Sequence, residues 1–155
     1  MARDRFDEDA LRILRAIRFA GQLGFDIERD TRKAMIIQAQ YLNNISAERI
    51  RVELTKLLVS DHPDKLLEAY VTGITSYILP EFDKMMEQPQ NNPYHRYNVG
   101  VHSIEAVKNI RPDVTMRWAA LLHDVGKPAT HTVDENGIDH FFDHPEKGVP
   151  IAESI

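Results

Sequence analysis

The residues of this chain best suited to chemistry are His102, His123 and Asp124, set in Val-His-Ser-Ile-Glu-Ala-Val and Ala-Leu-Leu-His-Asp-Val-Gly-Lys-Pro. Adjacent His123 and Asp124 offer a metal one imidazole nitrogen and one carboxylate oxygen from consecutive backbone positions. His102 lies 21 residues earlier, far enough to come from the preceding helix of an antiparallel pair. Mixed imidazole and carboxylate ligation suits Zn, Fe, Mn or Ni better than calcium and leaves positions open for water or phosphate. A lone His-Asp dipeptide means little, because surface helices produce it by chance. The upstream histidine, Gly126-Lys127-Pro128 and a further pair at His140 and His144 favour a metal site over an unrelated cluster of helical histidines.

A second constellation lies near the N-terminus, where Glu8-Asp9-Ala10-Leu11-Arg12 opens a helix that Arg15 and Arg18 continue. Residues three apart are neighbours on a helix, so Asp9 and Arg12 share a face. An aspartate accepts hydrogen bonds and an arginine donates several in a fixed fork. Side by side they can present an edge complementary to that of a nucleobase. An ordinary helix start explains the same residues on spacing alone, since acids complement the N-terminal dipole and Asp–Arg pairs support helices.

The elements that must carry these groups are nearly all helical. Leu11, Ile13, Leu14, Ile17 and Ala20 recur at helical spacing, with Asp7 as the expected N-cap and Gly21 and Gly24 as the stop. A second helix follows Ile27–Thr31, and Ser46 is expected to cap a third with an Ile50, Leu54, Leu57, Leu58 stripe. Pro63 reads as the first residue of a fourth helix ending at Gly73, with Ile74–Leu79 a short turn before Pro80. Glu87–Pro93, with two prolines, four amide side chains and no apolar residue, is the best boundary. Beyond it, helices are expected near 97–110 and 114–124 and from Pro145 onward. Thr130–Val133 and Ile138–Phe142 flank Asn136-Gly137 and read as a small hairpin with a tight primed turn. The expected fold is all-α: a helical region 1–86, a linker 87–93 and a smaller helical domain 94–155 with at most one hairpin. The last helix carries no stop signal, and Val149, Ala152 and Ile155 have no following helix to cover them. The chain is therefore expected to be a truncated piece of a larger protein.

Composition limits the classes. With 155 residues and 43% hydrophobic content the chain can bury a core. No cysteine is present, which excludes disulfides and thiolate sites. No apolar run reaches the roughly 18 residues of a membrane span and none resembles a signal peptide, so the expectation is a cytoplasmic protein with no membrane partner. Residues 1–60 carry 11 Lys/Arg against 9 Asp/Glu, whereas the remainder carries 8 against 15. A nucleic-acid face is expected in the first part.

Arg5–Ala20, followed by Leu23-Gly24-Phe25, resembles the neck of bacterial tRNA nucleotidyltransferases, the CCA-adding enzyme and poly(A) polymerase family. Ile45-Ser46-Ala47-Glu48-Arg49-Ile50 with Glu53-Leu54 and Lys56-Leu57-Leu58 is similar to that family's next neck motif. The likeness continues into a domain of the HD phosphohydrolase type, which many bacterial members carry after the neck. It implies that Asp9 and Arg12 select incoming CTP or ATP, with Glu8 buttressing them, and that Arg15 and Arg18 face tRNA. The Mg-dependent nucleotidyl-transfer head has no counterpart in residues 1–7. In the HD half it implies metal ligands His102, His123, Asp124 and, within His-Phe-Phe-Asp-His-Pro-Glu-Lys-Gly, His144. His140 becomes a candidate for supporting a ligand, and Lys127 for contacting phosphate. His62, His95 and His131 fall outside any pattern and are expected on the surface. Asp143 stands where relatives often have glycine, and Pro150 falls inside the last helix. Two other readings compete: an HD phosphohydrolase merely supported by its N-terminal helices, and a structural helical module without activity.

Overall fold

The computed structural model of the chain describes residues 2–91 and 97–155, so His95 and the end of the Glu87–Pro93 linker lie outside the described residues. Two compact units are formed, one of residues up to Ile78 with Arg111–Val114, the other of Leu79–Ile110 and Thr115–Ile155. The fold is all-α apart from one hairpin, as the apolar spacing predicts. No helix among the described residues is long and apolar enough to cross a membrane.

The first unit opens with α1, Ala2–Glu8, and α2, Leu11–Leu23. The expected single helix capped by Asp7 is thus two helices broken at Asp9-Ala10. Asp7 lies inside α1, where its carboxylate accepts from Gln38. The residue that serves the new helix start is Asp9, whose Oδ1 accepts from the Leu11 N–H at 3.1 Å. The cause is local: a short acidic side chain can replace the backbone acceptor that a helix N-terminus lacks. At the other end Gly24, with φ of 69°, closes α2 by bonding its N–H to the Ala20 carbonyl. Glycine, lacking a Cβ, adopts that left-handed geometry at the least steric cost.

Next come α3, Arg29–Gln38, and α4, Ala47–Leu58, with a 3-10 stretch over Ala39–Asn44 between them. Glu28 caps α3 by accepting from Asp30 and Thr31. Ser46 stands at the N-cap of α4 as expected, but its side chain makes no capping bond. Pro63 begins a 3-10 turn that leads into α5, Leu66–Val71, and Thr75–Ile78 forms α6. Ile13, Ile17, Leu57 and Leu58 bury their side chains where α2 packs on α4.

One charged group sits in this apolar seam. Glu53 of α4 is buried and accepts from Arg18 Nε at 2.6 Å, with Arg15 Nε at 3.5 Å. The helices that pack there are therefore also locked by an ion pair.

The second unit contains α7, Pro80–Glu87; α8, Val99–Asn109; α9, Val114–Leu122, from Thr115 on; α10, Lys127–Thr130; and α11, His144–Ser154. Helices α7 and α10 were not expected, although Pro80 at the first turn and the Phe82, Met85, Met86 spacing are helical signals. The hairpin pairs β1, His131–Val133, with β2, Asp139–Phe141, in antiparallel register. Its turn is not the two-residue primed type. Gly137 N–H bonds to the Asp134 carbonyl, and Gly137 alone in the turn has positive φ, at 77°. A primed turn needs positive φ at both central residues, and Asn136 does not adopt it. The α11 helix includes Pro150.

Glu53→Ala should leave Arg18 without its buried partner and cost about 2–4 kcal/mol of stability. Urea unfolding followed by circular dichroism would measure this. A loss below the error of the extrapolation would show that the pair contributes nothing.

Candidate functional site

In the second unit the chain builds its site from three helices and one loop. Asn98 caps α8 by accepting from the Val101 N–H, which fixes the turn that presents His102. His123 and Asp124 follow directly on the end of α9, and Lys127 opens α10 one turn later. His144 is the first residue of α11.

These residues converge on Asp124, whose side chain is only 5% exposed. Its Oδ2 lies 3.2 Å from His123 Nε2, 3.8 Å from His102 Nε2 and 2.8 Å from Lys127 Nζ. Its Oδ1 lies 3.4 Å from His144 Nε2. One ligand atom from each of His102, His123 and Asp124 falls within 4.8 Å of the others. The predicted triad is therefore assembled, and His144 joins it from the opposite oxygen.

Three observations fit this set to a divalent metal. The Nδ1 atoms of His123 and His144 each sit 2.8 Å from a backbone carbonyl, of Ala120 and Phe141 respectively. A carbonyl only accepts, so each Nδ1 carries a proton and each Nε2 is turned toward Asp124, where it can donate to the carboxylate as imidazolium or bind a cation as neutral imidazole. Asp124 Oδ2 is buried with no hydrogen bond of good geometry, even though Lys127 and His123 lie beside it. Finally, burial works against the charge of Asp124, yet the His123 imidazole and Lys127 ammonium outweigh it and hold the carboxyl well below the usual range. Asp124 in turn raises the His123 imidazole, against burial that lowers it. An ionised carboxylate with oriented imidazoles is the donor set of a metal centre.

The close approach of α10 and α11 makes the geometry possible. A Cβ on Gly126 would stand 2.1 Å from the His144 carbonyl oxygen and 2.7 Å from the Gly148 nitrogen. Only glycine lets the loop after Asp124 lie this near the helix bearing His144. Asp143, just before His144, adopts φ of 59°, a left-handed conformation that glycine takes without strain.

Other expected residues lie elsewhere. His140 Nε2 faces Asp134 Oδ2 at 3.0 Å, and its ring stacks on Phe142. His131 is not a bare surface histidine: its Nε2 meets Asp139 Oδ1 at 2.8 Å, and Asp139 is buried. Lys127 is buried rather than open to solvent. Gln90, which lies in the polar linker and shows no motif, accepts from Lys127 Nζ at 2.8 Å.

In the first unit, Arg12 pairs with Glu8 and donates to the Arg5 carbonyl at 2.9 Å. Asp9 Oδ2 accepts from Arg49 Nη2 at 3.0 Å, with Arg15 Nη1 at 4.0 Å. Asp9 and Arg12 are close in the chain, but each is engaged by a different partner. Arg49 and Glu53 both stand in the second neck motif, which is the signal that could have marked them as partners of Asp9, Arg15 and Arg18.

A helical unit that gathers His102, His123 and Asp124 in this way has the character of an HD domain, and residues 94–155 match that family. Residues 24–86 match the family described as "Probable RNA and SrmB-binding site of polymerase A". Proteins described as "Multifunctional CCA protein" are similar over most of the chain. The one from Actinobacillus pleuropneumoniae serotype 5b (strain L20) is 33% identical over 97% of this chain and 39% of its own length. That of Neisseria gonorrhoeae (strain NCCP11945) is 35% identical over 86% of the chain and 36% of its own length. That of Vibrio cholerae serotype O1 (strain ATCC 39541 / Classical Ogawa 395 / O395) is 34% identical over 81% and 34%. The RNA-binding and HD matches, in this order, and the similarity to CCA proteins over most of the chain support a fragment of a CCA-adding enzyme. The chain spans about two fifths of the length of the relatives it matches, or slightly less.

Gly126→Ala should push α10 from α11, costing about 1–3 kcal/mol or more, and weaken metal binding by moving His144. Gly148→Ala is the control, because its Cβ would meet neighbours only at 3.4 Å and beyond. Isothermal titration with a divalent metal and thermal melts would separate the two, and equal behaviour would refute the close-packing argument. Asp143→Gly should instead raise stability by up to about 1 kcal/mol, read from the melting midpoint, by relieving left-handed backbone strain.

Proposed function

We propose that the chain serves as the nucleotide-selecting neck, tRNA-binding region and metal phosphohydrolase region of a CCA-adding-type enzyme. The observation that carries this reading is the order of an RNA-binding region and an HD region with an assembled His–His–Asp cluster, in one chain that matches CCA proteins throughout. Residues 1–86 form the neck and RNA-binding region, 87–93 the linker, and 94–155 a partial HD domain. In the neck, Asp9 and Arg12 read the base edge of CTP or ATP, Glu8 supports Arg12, and Arg15 and Arg18 face the tRNA backbone. Arg15 is the more accessible of the two arginines. The parent's transferase head would use Mg.

In the HD half, His102, His123, Asp124 and His144 hold a divalent transition metal of the Zn, Mn, Fe or Ni class. When bound, such a metal acidifies a water and neutralises charge on a phosphate ester. The protein's part is to keep each Nε2 lone pair aimed inward through the Ala120 and Phe141 carbonyls and to keep Asp124 ionised. The expected substrate is a phosphate ester or cyclic phosphodiester at a nucleotide end, and the expected compartment is the cytoplasm.

A second reading, an HD phosphohydrolase with a purely supporting neck, draws on the engagement of Asp9 by Arg49 and of Arg12 by Glu8. One experiment separates the two. With the chain joined to the remaining portion of a CCA-protein relative, Asp9→Ala and Arg12→Ala should each disturb the choice of CTP and ATP over other nucleotides. A mispaired buried edge costs on the order of 1–3 kcal/mol, so discrimination should fall roughly ten-fold or more. His123→Ala should abolish phosphodiester hydrolysis and leave nucleotide choice intact. Unchanged preference in both neck variants would leave only the second reading.

A further inference from the structure

Lys127 is the least expected member of the metal cluster. A lysine that reaches for a substrate phosphate should end in solvent, yet Lys127 is only 7% exposed. Its ammonium is fixed on three sides: Asp124 Oδ2 at 2.8 Å, Gln90 Oε1 at 2.8 Å and the Phe141 ring, with its centroid at 5.4 Å. Gln90 is itself buried and anchored, its Nε2 donating to the Tyr97 carbonyl at 3.1 Å. Gln90 can therefore present only its carbonyl oxygen to Lys127, which is what an ammonium requires.

Asp124 Oδ2 thus faces two claims. It is the carboxylate oxygen closest to His123 and His102, and so the natural metal ligand. It is also the oxygen that Lys127 already neutralises. A metal bound to it at about 2 Å would lie within reach of strong repulsion from the ammonium. Without a metal, however, a buried carboxylate needs a compensating charge or it destabilises the fold.

Taking the metal-site reading above as its basis, we infer that Lys127, held by Gln90, is a resident cation that stands in for metal charge at Asp124 and sets the metal affinity of the site. Lys127 stabilises the metal-free state more than the metal-bound state. By linkage, whatever favours the free form selectively weakens binding by the same factor. Lys127 is in this sense a positioning residue. It holds Asp124 in place, and the metal must compete with it.

The test uses the purified chain, Mn and Zn as probes, and the Lys127→Met variant, which keeps the apolar stem and removes the charge. Lys127→Met should lower the melting temperature of the metal-free protein, regain most of that loss on adding metal, and bind metal about ten-fold more tightly by calorimetric titration. Gln90→Ala, a milder change, should move affinity in the same direction by a smaller factor and keeps the test usable if Lys127→Met does not fold. Equal destabilisation with and without metal, at unchanged affinity, would overturn the inference and make Lys127 a packing residue. Unchanged metal affinity with weaker binding of inorganic phosphate to the loaded protein would overturn it in favour of a phosphate contact. Failure of the wild type to bind metal, or binding that survives His123→Ala, would instead refute the metal-site reading.

Discussion

The second unit depends on one buried carboxylate. Asp124 is almost removed from solvent, and a bare ionised carboxylate in that position would cost several kcal/mol. Every surrounding element supplies something against that cost: His102 from α8, His123 from the end of α9, Lys127 from α10 and His144 from α11. The contributions are not equivalent. The imidazoles are soft donors that can pass from hydrogen-bonding a carboxylate to sharing a cation with it, whereas Lys127 can only compete with one. The charge of Asp124 is therefore compensated from within the fold by Lys127 and His123.

The first unit meets the same problem with a different solution. Glu53 is buried where α2 packs on α4, but its partners are arginines, which cannot lose their charge and which fit a carboxylate through a planar fork. Such a pair fixes the Nε side of each guanidinium on Glu53 and leaves the remaining N–H groups for other partners. Asp9 is intermediate: one oxygen starts α2 by accepting from Leu11, and the other accepts from Arg49. Its half-exposed position and its exposed arginine partner mean that this contact is exchanged for another hydrogen bond at far lower cost than the Glu53 contact. The physical contrast between Glu53 and Asp9 separates a side chain that holds the neck together from one that can afford to meet a ligand.

Much of this was legible from residue pattern. The apolar stripes of α2 and α4, the Gly24 stop, the hairpin near Asn136-Gly137 and the assembly of His102, His123 and Asp124 all follow from local spacing and residue chemistry. What escaped has a common cause. The break at Asp9-Ala10 depends on which acceptor wins at one helix start, a competition that periodicity does not register, because Phe6 and Leu11 are both buried on either side. The burial of Lys127, its bond to Gln90 and the His131–Asp139 pair are contacts across 37 and 8 residues that no period encodes. The type of the hairpin turn was lost because the loop is longer than two residues, its turn running from Asp134 to Gly137, with positive φ at Gly137 alone.

Backbone shape explains why the Asp124 cluster takes this form. Asp124 and His144 come from segments 20 residues apart, separated by α10 and the whole hairpin. They meet because Gly126 allows backbone-to-backbone contact with Gly148, and because Asp143 turns into the left-handed region to start α11. The hairpin is not incidental to this. Phe141, at the end of β2, gives its carbonyl to His144 Nδ1 and its ring to Lys127, so one residue orients both the His144 imidazole and the Lys127 ammonium. Asp139 ties that strand down through His131 on one oxygen and the Asn91 N–H on the other. The two strands thus act as the frame that holds an ammonium and an imidazole against the two oxygens of Asp124, and the chemistry available there is set as much by that frame as by the side chains themselves.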